Sequence, residues 1–540
     1  MRVTRPFAQS MGVRINNLPD ELISDIFLAG KCLDDEDVKC CIFGRAPLDP
    51  DDDSNGGLPG NQLLPFAVNV SHVCREWRRV AINTPNLWTN IALVHFPDRD
   101  PLKKLGVYLN RSKCAPLDIS ITQYLPSSVD SDDDMEVLDA SCIPRKPTNP
   151  GHPRQPCSPN NLTKSQLAKF LCMVAPHTCR WRRLSVDMAQ FSFLYMVLMT
   201  LSEQHAAPIL ETLELRCEQY PEHCLSLSPA HTEELARRPL PFNGNTPKLR
   251  NVTLGVARLD WARSLPILSG LKRLELPYYR FSDRVPFPIF KQIVTNSPNL
   301  STLVLSRSGP KGVPEFPIAQ GLQPFQIPSL QELVLWDLDV DYAKALVQHF
   351  DMPSLKILEL GRFGDADCTE LALEMTRPVT GRKTPMLAGL TYLKINGFPC
   401  SKQAVQAILT ELINLRTFYL RVTKCEEFFV ELLIPSKSGC ILYCPHLTVF
   451  RSVGIDTPAL KGFVKARKRA GAPLRELHRC AYDYINDRDD KWLRRHLEEF
   501  RGFCPSDWSG DEDDGDPGWD DYEPPVLVPS DLESDANSEM

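Results

Sequence analysis

The stretch PSLKILEL at residues 353–360 decides the fold of this chain. Its leucines stand at positions 355, 358 and 360, and side chains in a strand alternate with period two, so Leu358 and Leu360 share one face. The same L-x-x-L-x-L spacing returns with first leucines at residues 210, 249, 271, 300, 330, 355, 390, 415, 447 and 474. One such strand is unstable alone, so the repetition predicts parallel strands that stack and bury a continuous apolar column.

The copies are 22 to 39 residues apart, and the shorter spacings resemble leucine-rich repeats. Segments 341–350 and 401–412 have helical periodicity and are predicted to cover one side of the sheet. The predicted fold class is therefore α/β, with an irregular leucine-rich-repeat-like solenoid over residues 201–504. A doubly wound α/β sheet also alternates strands and helices and stays an alternative, although the repeated Pro-x-Leu start favours the solenoid.

The open face of the predicted sheet carries the candidate target-binding residues. Positions two, four and six after each first leucine point away from the core in this register. Exposed aromatic and arginine side chains are the types that anchor protein partners, while ordinary solvent-facing residues are the alternative at each position. The candidates are Arg273, Glu275, Glu332, Trp336, Tyr392, Lys394, Tyr419 and Arg421.

The front of the chain has a different pattern, beginning with LPDELISDIF at residues 18–27. Pro19 suits the first position of a helix, where its missing N–H is not needed. Acidic residues follow in the first turn, where the helix dipole favours them. Leu22, Ile23, Ile26 and Phe27 then form an apolar stripe, so a short amphipathic helix is predicted here.

A second apolar pattern runs through VNVSHVCREWRRVAINTPNLW at residues 68–88. The pair Thr84 and Pro85 is typical of a helix cap followed by the first helical residue, and it precedes Leu87 and Trp88. The two patterns together predict a small three-helix subdomain. The apolar face of the longer helix is expected to comprise Val70, Val73, Cys74, Trp77, Val80 and Ala81.

These two stretches resemble an F-box, most closely the version common in mushroom-forming fungi. The matching positions are Leu18, Pro19, Glu21, Leu22, Ile26, Phe27, Val73, Cys74, Trp77, Val80, Ala81, Pro85, Leu87 and Trp88. The resemblance implies a substrate receptor of a Skp–cullin–F-box ubiquitin ligase that takes part in protein degradation. Its partners would be a Skp-family adaptor, a cullin through that adaptor, and a protein target held by the repeats. The implied adaptor-binding residues are Leu18, Pro19, Glu21, Leu22, Ile26, Phe27, Val73, Trp77, Leu87 and Trp88.

Within this motif the placement predicts two roles. Trp77 and Trp88 are expected mainly in the core, and Leu18, Pro19 and Glu21 nearer the adaptor surface. The F-box is assigned to residues 15–95, after a flexible N-terminus of residues 1–14. An acidic stretch at 31–66, with eight Asp and Glu, interrupts it and is expected to be a surface loop. Residues 96–200 are expected to hold linker helices and the first strand units.

Charge and cysteine content bound the rest of the chain. Residues 505–540 contain thirteen Asp and Glu and no Lys or Arg, so the net charge of −7 divides into −13 for this tail and +6 for residues 1–504. Such a tail is expected to be disordered. The 18 cysteines lack CxxC spacing, and no signal peptide begins the sequence, so free thiols and a cytoplasmic or nuclear location are expected.

The sequence offers no motif for bond chemistry. No phosphate-binding loop, nucleophile elbow or zinc-binding His-Glu-x-x-His occurs, so we expect no enzyme activity, catalytic residue, cofactor or metal. Nucleic acid and membrane partners are not expected either. Two alternatives stay open: a repeat scaffold that acts outside any ligase, and a hydrolase whose active-site residues are dispersed along the chain.

Overall fold

The computed structural model describes residues 18–43, 65–94, 101–123, 162–217, 237–313, 324–378, 385–433 and 443–503. The predicted flexible N-terminus and the predicted disordered tail lie outside the described residues, as do residues 44–64 of the acidic stretch. Among the described helices, none has the length and apolarity needed to cross a bilayer.

The described chain alternates short strands with helices. The strands are β1 Asn90–Val94, β2 Leu117–Thr122, β3 Trp181–Met188, β4 Thr212–Cys217, β5 Asn251–Leu254, β6 Arg273–Pro277, β7 Thr302–Ser306, β8 Phe325–Gln326, β9 Glu332–Trp336, β10 Phe350–Asp351, β11 Ile357–Gly361, β12 Tyr392–Asn396, β13 Thr417–Arg421, β14 Val449–Val453, β15 Glu476–Cys480 and β16 Glu499–Phe503. The α-helices are α1 Asp20–Phe43, α2 Phe66–Val73, α3 Arg75–Asn83, α4 Pro101–Arg111, α5 Lys164–Val174, α6 Phe191–Glu203, α7 Phe287–Thr295, α8 Val340–His349, α9 Thr369–Thr376, α10 Lys402–Glu411, α11 Glu426–Leu433, α12 Thr457–Arg469 and α13 Asp487–His496.

Fourteen of these strands form one parallel sheet. Its order is β1-β2-β3-β4-β5-β6-β7-β9-β11-β12-β13-β14-β15-β16, which follows the chain without reversal. A doubly wound sheet reverses its strand order at a switch point, so that alternative is wrong for this sheet. The two remaining strands, β8 and β10, pair only with each other. The sequential order is that of a solenoid, as the repeat pattern predicts.

The leucine register confirms the predicted strand faces. In β11 both Leu358 and Leu360 are buried, and the first leucine of that copy, Leu355, is buried below them. A backbone ladder fixes the step between copies just after each first leucine. The amide of Thr391 donates to the carbonyl of Lys356 at 2.8 Å, and the amide of Lys356 donates to Gln331 at 2.9 Å. Each copy is therefore tied to its neighbour before its strand begins.

The sheet begins before residues 201–504, which were assigned to the repeats. It runs from β1 at Asn90, inside the region assigned to the F-box, and β2 and β3 lie within residues 96–200, where the first strand units are expected. These strands alternate apolar and polar residues but do not contain the L-x-x-L-x-L pattern. In β2, for example, Ile119 and Ile121 occupy the two core positions. The L-x-x-L-x-L pattern misses them because isoleucine and valine fill the same space in a strand core.

Helices form a second layer, and both predicted covering helices are confirmed as α8 and α10. Each begins at a side-chain cap. The carboxylate of Asp339 accepts from the amide of Tyr342 at 2.9 Å, and the hydroxyl of Ser401 accepts from the amide of Ala404 at 3.4 Å. Successive helices such as α9 and α10 contact each other, as the helices of a solenoid do.

A left-handed residue follows most strands, seven positions after the first leucine. Tyr278, Arg307, Asp337 and Arg362 have φ between 50° and 59° there, a conformation that costs a non-glycine residue about 1–2 kcal/mol. The amide of Asp337 donates to the carbonyl of Gly361 at 2.8 Å, and the neighbouring turns repeat this bond. The cost is thus offset by a second backbone ladder that closes each repeat at the end of its strand.

The basic run at residues 461–475 contains a buried arginine. Most of its charges face solvent on α12, as expected for a helix face, but Arg467 is buried. Its guanidinium donates to the carbonyl oxygens of Cys444 and Leu447 at 3.0 Å and of Ala472 at 3.1 Å. Burial lowers the pKa of Arg467. This side chain fastens the turn before β14 to α12.

We predict that Arg467→Met destabilises the last repeats by about 2–5 kcal/mol, because several buried carbonyls lose their donor. Thermal unfolding followed by circular dichroism measures the change. Arg469→Met, at an exposed position of the same helix, is the matched control and should leave the melting temperature unchanged. Equal melting temperatures of the two variants would contradict this role of Arg467.

Candidate protein-interaction surfaces

The N-terminal helices form a small core of their own. Ile23 and Phe27 of α1 pack against Val80 of α3 and against Leu87 and Trp88 of the short 3-10 helix Pro85–Trp88. All five side chains are buried. The indole N–H of Trp88 donates to the carbonyl of Ala81 at 2.8 Å, so its polar atom is satisfied inside this core.

Two expected boundaries in this region are wrong. The pattern at residues 70–81 is not one helix: the chain breaks at Cys74, which has extended backbone angles and whose Sγ accepts from the amide of Trp77 at 3.4 Å. The acidic stretch at 31–66 does not begin as a loop, because α1 continues to Phe43. Residues 31–43 contain no Gly or Pro to stop a helix. The side chains beyond Cys32 lie outside the described residues.

Polar contacts tie α1 to the residues that precede the sheet. The Nζ of Lys31 donates to the carbonyl of Asn86 and to the hydroxyl of Thr89, both at 2.8 Å. Arg79 forms an exposed ion pair with Asp20 at 2.6 Å. Exposed pairs contribute about 0–1 kcal/mol, so the apolar core carries most of the stability of this unit.

The apolar stripe of α1 divides into a buried and an exposed half. Ile23 and Phe27 face the core, whereas 49% of Leu22 and 44% of Ile26 are exposed. On α2 Val73, which was expected on the apolar helix face and among the adaptor-binding residues, is 60% exposed. Residues four apart share a helix face, so Leu22 and Ile26 lie together on the surface. A large apolar side chain left in water on consecutive turns is typical of a contact surface.

The predicted adaptor-binding residues therefore occupy different places. The exposed apolar members are Leu22 and Ile26 on α1 and Val73 on α2, and we call these three residues the F-box apolar surface. Pro19 and Glu21 are also exposed. Leu18 and Trp77 are half-buried, with the ring of Trp77 5.0 Å from that of Phe27. The buried members of the set support the surface from inside instead of forming it: Phe27, Leu87 and Trp88.

Helix α4 joins the F-box core to the repeats. The ring of Tyr108 meets Trp88 edge to face at 5.2 Å, and the guanidinium of Arg111 lies 4.3 Å from the Trp88 ring. Tyr108 also packs against the core of the repeats. Since β1 starts two residues after Trp88, the two units share a junction and no linker separates them.

Six of the eight predicted residues of the open face fall into two groups. The first is an ion network on β6 and β9, in which Arg273 lies 3.3 Å from Glu275 and 3.8 Å from Glu332. Arg216 on β4 extends the network to Glu275 at 3.1 Å. These charges largely satisfy one another, so this part of the face offers a partner little uncompensated charge.

The second group centres on Lys394, whose Nζ lies between two aromatic rings. It is 4.7 Å from the ring of Trp336 and 5.1 Å from the ring of Tyr419, and 3.7 Å from the carboxylate of Glu359. Tyr419, predicted to be open to solvent, is only 4% exposed. The reason is Phe503, whose ring covers it at 5.8 Å.

Tyr392 and Arg421, the remaining candidates, lie at the two ends of the strands that carry Lys394 and Tyr419. Both are half-buried and both make contacts of their own. They flank the aromatic and cationic group. The structure therefore brings six of the eight candidates together, three on β6 and β9 and three on β9, β12 and β13.

Three further open-face residues continue the line of Lys394 and were missed from sequence. Arg451, His478 and Arg501 align on neighbouring strands, each opposite the next. Arg451 and His478 stand four residues after first leucines that the pattern does identify, so the same alternation could have found them. Arg501 could not be found this way, because the sequence of β16 does not contain the L-x-x-L-x-L pattern.

His478 is buried and surrounded by charge. Burial lowers the pKa of His478, and the guanidinium groups of Arg501 and Arg451 lower it further. Its Nε2 lies 3.5 Å from Glu476 and 3.8 Å from Glu499, a set that resembles metal ligands. However, Nε of Arg501 donates to the same ring nitrogen at 3.3 Å. The lone pair that a metal would need is already used.

We predict that Trp88→Ala destabilises the chain near its N-terminus by about 3–5 kcal/mol, because it empties a fully buried site and removes the partner of Tyr108. Trp77→Ala should cost less, since that side chain is only half-buried. Limited proteolysis of the full chain, with N-terminal sequencing of fragments, measures both. Greater protease sensitivity of the Trp77 variant than of the Trp88 variant would contradict this order.

We also predict that Gly361→Ala destabilises the centre of the sheet by about 1–3 kcal/mol through overpacking. A Cβ at this position would lie 2.5 Å from the Trp336 ring, which crosses the neighbouring strand there. Gly462→Ala in α12 is the control, because a Cβ there meets nothing within 4 Å and alanine favours the helix. Urea unfolding should show loss for the first and none for the second; loss in both would refute the packing argument.

The comparisons with known proteins agree with this geometry at the N-terminus. The F-box-like family model matches residues 15–94, which is the small helical core together with β1. No curated protein matches the chain significantly. Among solved structures, the leucine-rich repeat-containing protein LegL7 from Legionella pneumophila is similar at 14% identity, covering 58% of this chain and 90% of that one with a TM-score of 0.32. By its matched core and its sequential parallel sheet, the chain carries an F-box-like domain joined directly to a leucine-rich-repeat-like solenoid.

Proposed function

We propose that this protein is the substrate-recognition subunit of a Skp–cullin–F-box ubiquitin ligase. The observation that carries the proposal is the F-box apolar surface, Leu22, Ile26 and Val73, on a domain of a family that generally binds Skp-type adaptors. The adaptor would cover this surface and link the chain to the cullin. The location would be cytoplasmic or nuclear, where such complexes act.

The energetics support an interface at this surface. Fully burying a leucine, isoleucine or valine side chain contributes about 1.5–3 kcal/mol each, and these three are about half exposed in the described chain. They lie on α1 and α2, which are fixed by a packed core beneath them. A rigid, already ordered apolar surface loses little entropy when a partner covers it.

The repeats supply the second half of the role. Their open face presents Trp336, Lys394 and neighbouring side chains on strands whose backbone is fixed on both edges. A target bound there would be held at a set distance from the F-box, since Trp88 and Tyr108 join the two units through packed side chains. Holding two reactants in a fixed arrangement raises their effective concentration, which is how a receptor without catalytic groups assists transfer of ubiquitin.

The proposal assigns no bond chemistry to the chain itself. Burial raises the pKa of the thiols of Cys368, Cys425 and Cys444, so these remain protonated and unreactive at neutral pH. A groove of about 530 Å³ between the F-box and α4 is lined by the cations Arg78, Lys103, Lys104 and Arg111 and by no carboxylate. Ser71 and His72 also line this groove, but no Asp or Glu lines it to orient the imidazole as in a Ser–His–Asp triad.

Affinity purification of the full chain from cells in which the proteasome is blocked tests the proposal. Co-purification of a Skp-family adaptor and a cullin would support it, and the additional proteins that accumulate would identify targets. A scaffold that acts outside any ligase would purify with partners but without adaptor or cullin.

We predict that Ile26→Asp reduces adaptor capture at least about tenfold and leaves the melting temperature unchanged. The charge would be placed on an exposed apolar residue of the proposed interface, so folding should tolerate it while binding should not. Pull-down of the adaptor with the full-length variant measures the effect.

Ile413→Asp is the matched control, because Ile413 is 53% exposed in the repeats, far along the chain from the F-box. It should capture adaptor as the unchanged chain does. If Ile26→Asp and Ile413→Asp capture the adaptor equally well, the F-box apolar surface is not the adaptor interface.

A further inference from the structure

The open face ends in a line of side chains that carries positive charge. Lys394, Tyr419, Arg451, His478 and Arg501 lie opposite one another on β12 to β16, one per strand. We call these five residues the basic row. It contains three permanent cations and no carboxylate. Neighbouring strands in a sheet lie about 4.8 Å apart, which sets the backbone spacing between its members.

Arg451, at the centre of the basic row, has no partner for its charge among the described residues. Its Nε is buried and makes no hydrogen bond. By contrast, Lys394 pairs with Glu359 at 3.7 Å and Arg501 with Glu499 at 2.9 Å. A buried donor without an acceptor is destabilising, so an anion that reached Arg451 would bind favourably.

The surroundings of Arg451 favour negative charge. His478 beside it is neutral in this environment, because burial and the two neighbouring guanidinium groups lower its pKa against the opposite effect of Glu476 and Glu499. Glu476 and Glu499 stand opposite each other, two residues before His478 and Arg501 on their strands, and neither is opposite Arg451. Arg451 is therefore the cation of the basic row without a carboxylate partner among the described residues.

An apolar strip borders the basic row on one side. Tyr419, Val453 and Cys480 form a cluster on the open face, separate from the main core, and Phe503 packs against it. The three members of this cluster are buried, so the partly exposed ring of Phe503 is the apolar surface that the cluster presents beside the cations. A cation row next to an aromatic ring suits a peptide that has acidic residues and an occasional large apolar side chain.

The chain itself contains a segment of this chemistry. Residues 507–523 hold nine Asp and Glu together with Trp508, Trp519 and Tyr522, and no Lys or Arg. The segment follows Phe503, which already lies on the open face beside Tyr419. Asp507 is four residues further, a reach of about 13 Å, whereas Arg451 is two strands from β16, about 10 Å.

We propose that the basic row is a binding site for an acidic peptide and that residues 507–523 of the same chain occupy it. Docking of the tail in cis does not depend on adaptor binding. Its consequence, competition with a target for the open face, rests on the function proposed above. A tethered segment acts at millimolar effective concentration, so a target would have to displace it.

The test uses full-length protein in which all nine acidic residues of 507–523 are changed to Asn or Gln. A fluorescent synthetic peptide of residues 505–523 is titrated into this variant and into the unchanged chain, with anisotropy as the readout at about 50 mM salt. We expect at least about tenfold tighter peptide binding by the neutralised variant, because its own tail no longer competes. Adaptor capture is measured in parallel and should be the same for both.

Two controls define the site and the segment. In the neutralised background, Arg451→Gln should weaken peptide binding at least about fivefold, Arg451→Lys should weaken it less, and Arg183→Gln on the same face of β3 should not change it. Neutralising only Asp531, Glu533, Asp535 and Glu539 should leave peptide binding as weak as in the unchanged chain.

Equal peptide affinity of the unchanged and neutralised chains would show that the tail does not occupy the face. Tight binding that survives Arg451→Gln in a chain that still melts normally would place the peptide site elsewhere. Either result overturns the proposal. Failure of both chains to capture adaptor, together with tighter peptide binding by the neutralised chain, would instead count against the ligase role alone.

Discussion

The structure depends on one constraint: a strand of five residues can bury its leucines only when strands stand on both sides of it. Leu358 and Leu360 of β11 are buried because β9 and β12 pair with β11 in matching register, so that the core residues of the three strands lie side by side. The backbone ladder through Lys356 and Thr391 sets that register before the strand starts. Stability is therefore approximately a sum over neighbouring copies, and each copy needs the next.

The same constraint explains how the F-box joins the repeats. The first strand of a solenoid has one side without a neighbour, and here β1 follows directly from the 3-10 helix that carries Trp88. Tyr108 packs against both the F-box core and the core of the repeats. The F-box thus stands at the open end of the sheet, and its apolar surface is held in a fixed position relative to the open face.

On the open face, the position of a charged side chain and the pairing of its charge have separate causes. Alternation along the strands determines that Lys394, Arg451 and Arg501 share one line across the sheet. Which of them is satisfied depends on the neighbours: Glu359 pairs with Lys394, Glu499 pairs with Arg501, and Arg451 receives no carboxylate from the described residues. An uncompensated charge on an otherwise compensated face is a property of the assembled sheet.

The sequence by itself determined the repeat, its strand faces and two covering helices, because leucine spacing and helical periodicity are local signals that recur along the chain. It also determined the two F-box stretches and the exposed position of Pro19 and Glu21. The strand units within residues 96–200 were expected from the F-box resemblance and not from the leucine pattern, because isoleucine and valine occupy core positions of β2 and β3. The helix break at Cys74 was missed because an apolar pattern does not show where a chain turns. Only the tertiary structure decided that Leu22 and Ile26 face outward while Ile23 and Phe27 face inward, that Phe503 covers Tyr419, and that Arg467 is buried. These outcomes depend on which distant segment packs nearby, and no local spacing encodes that contact.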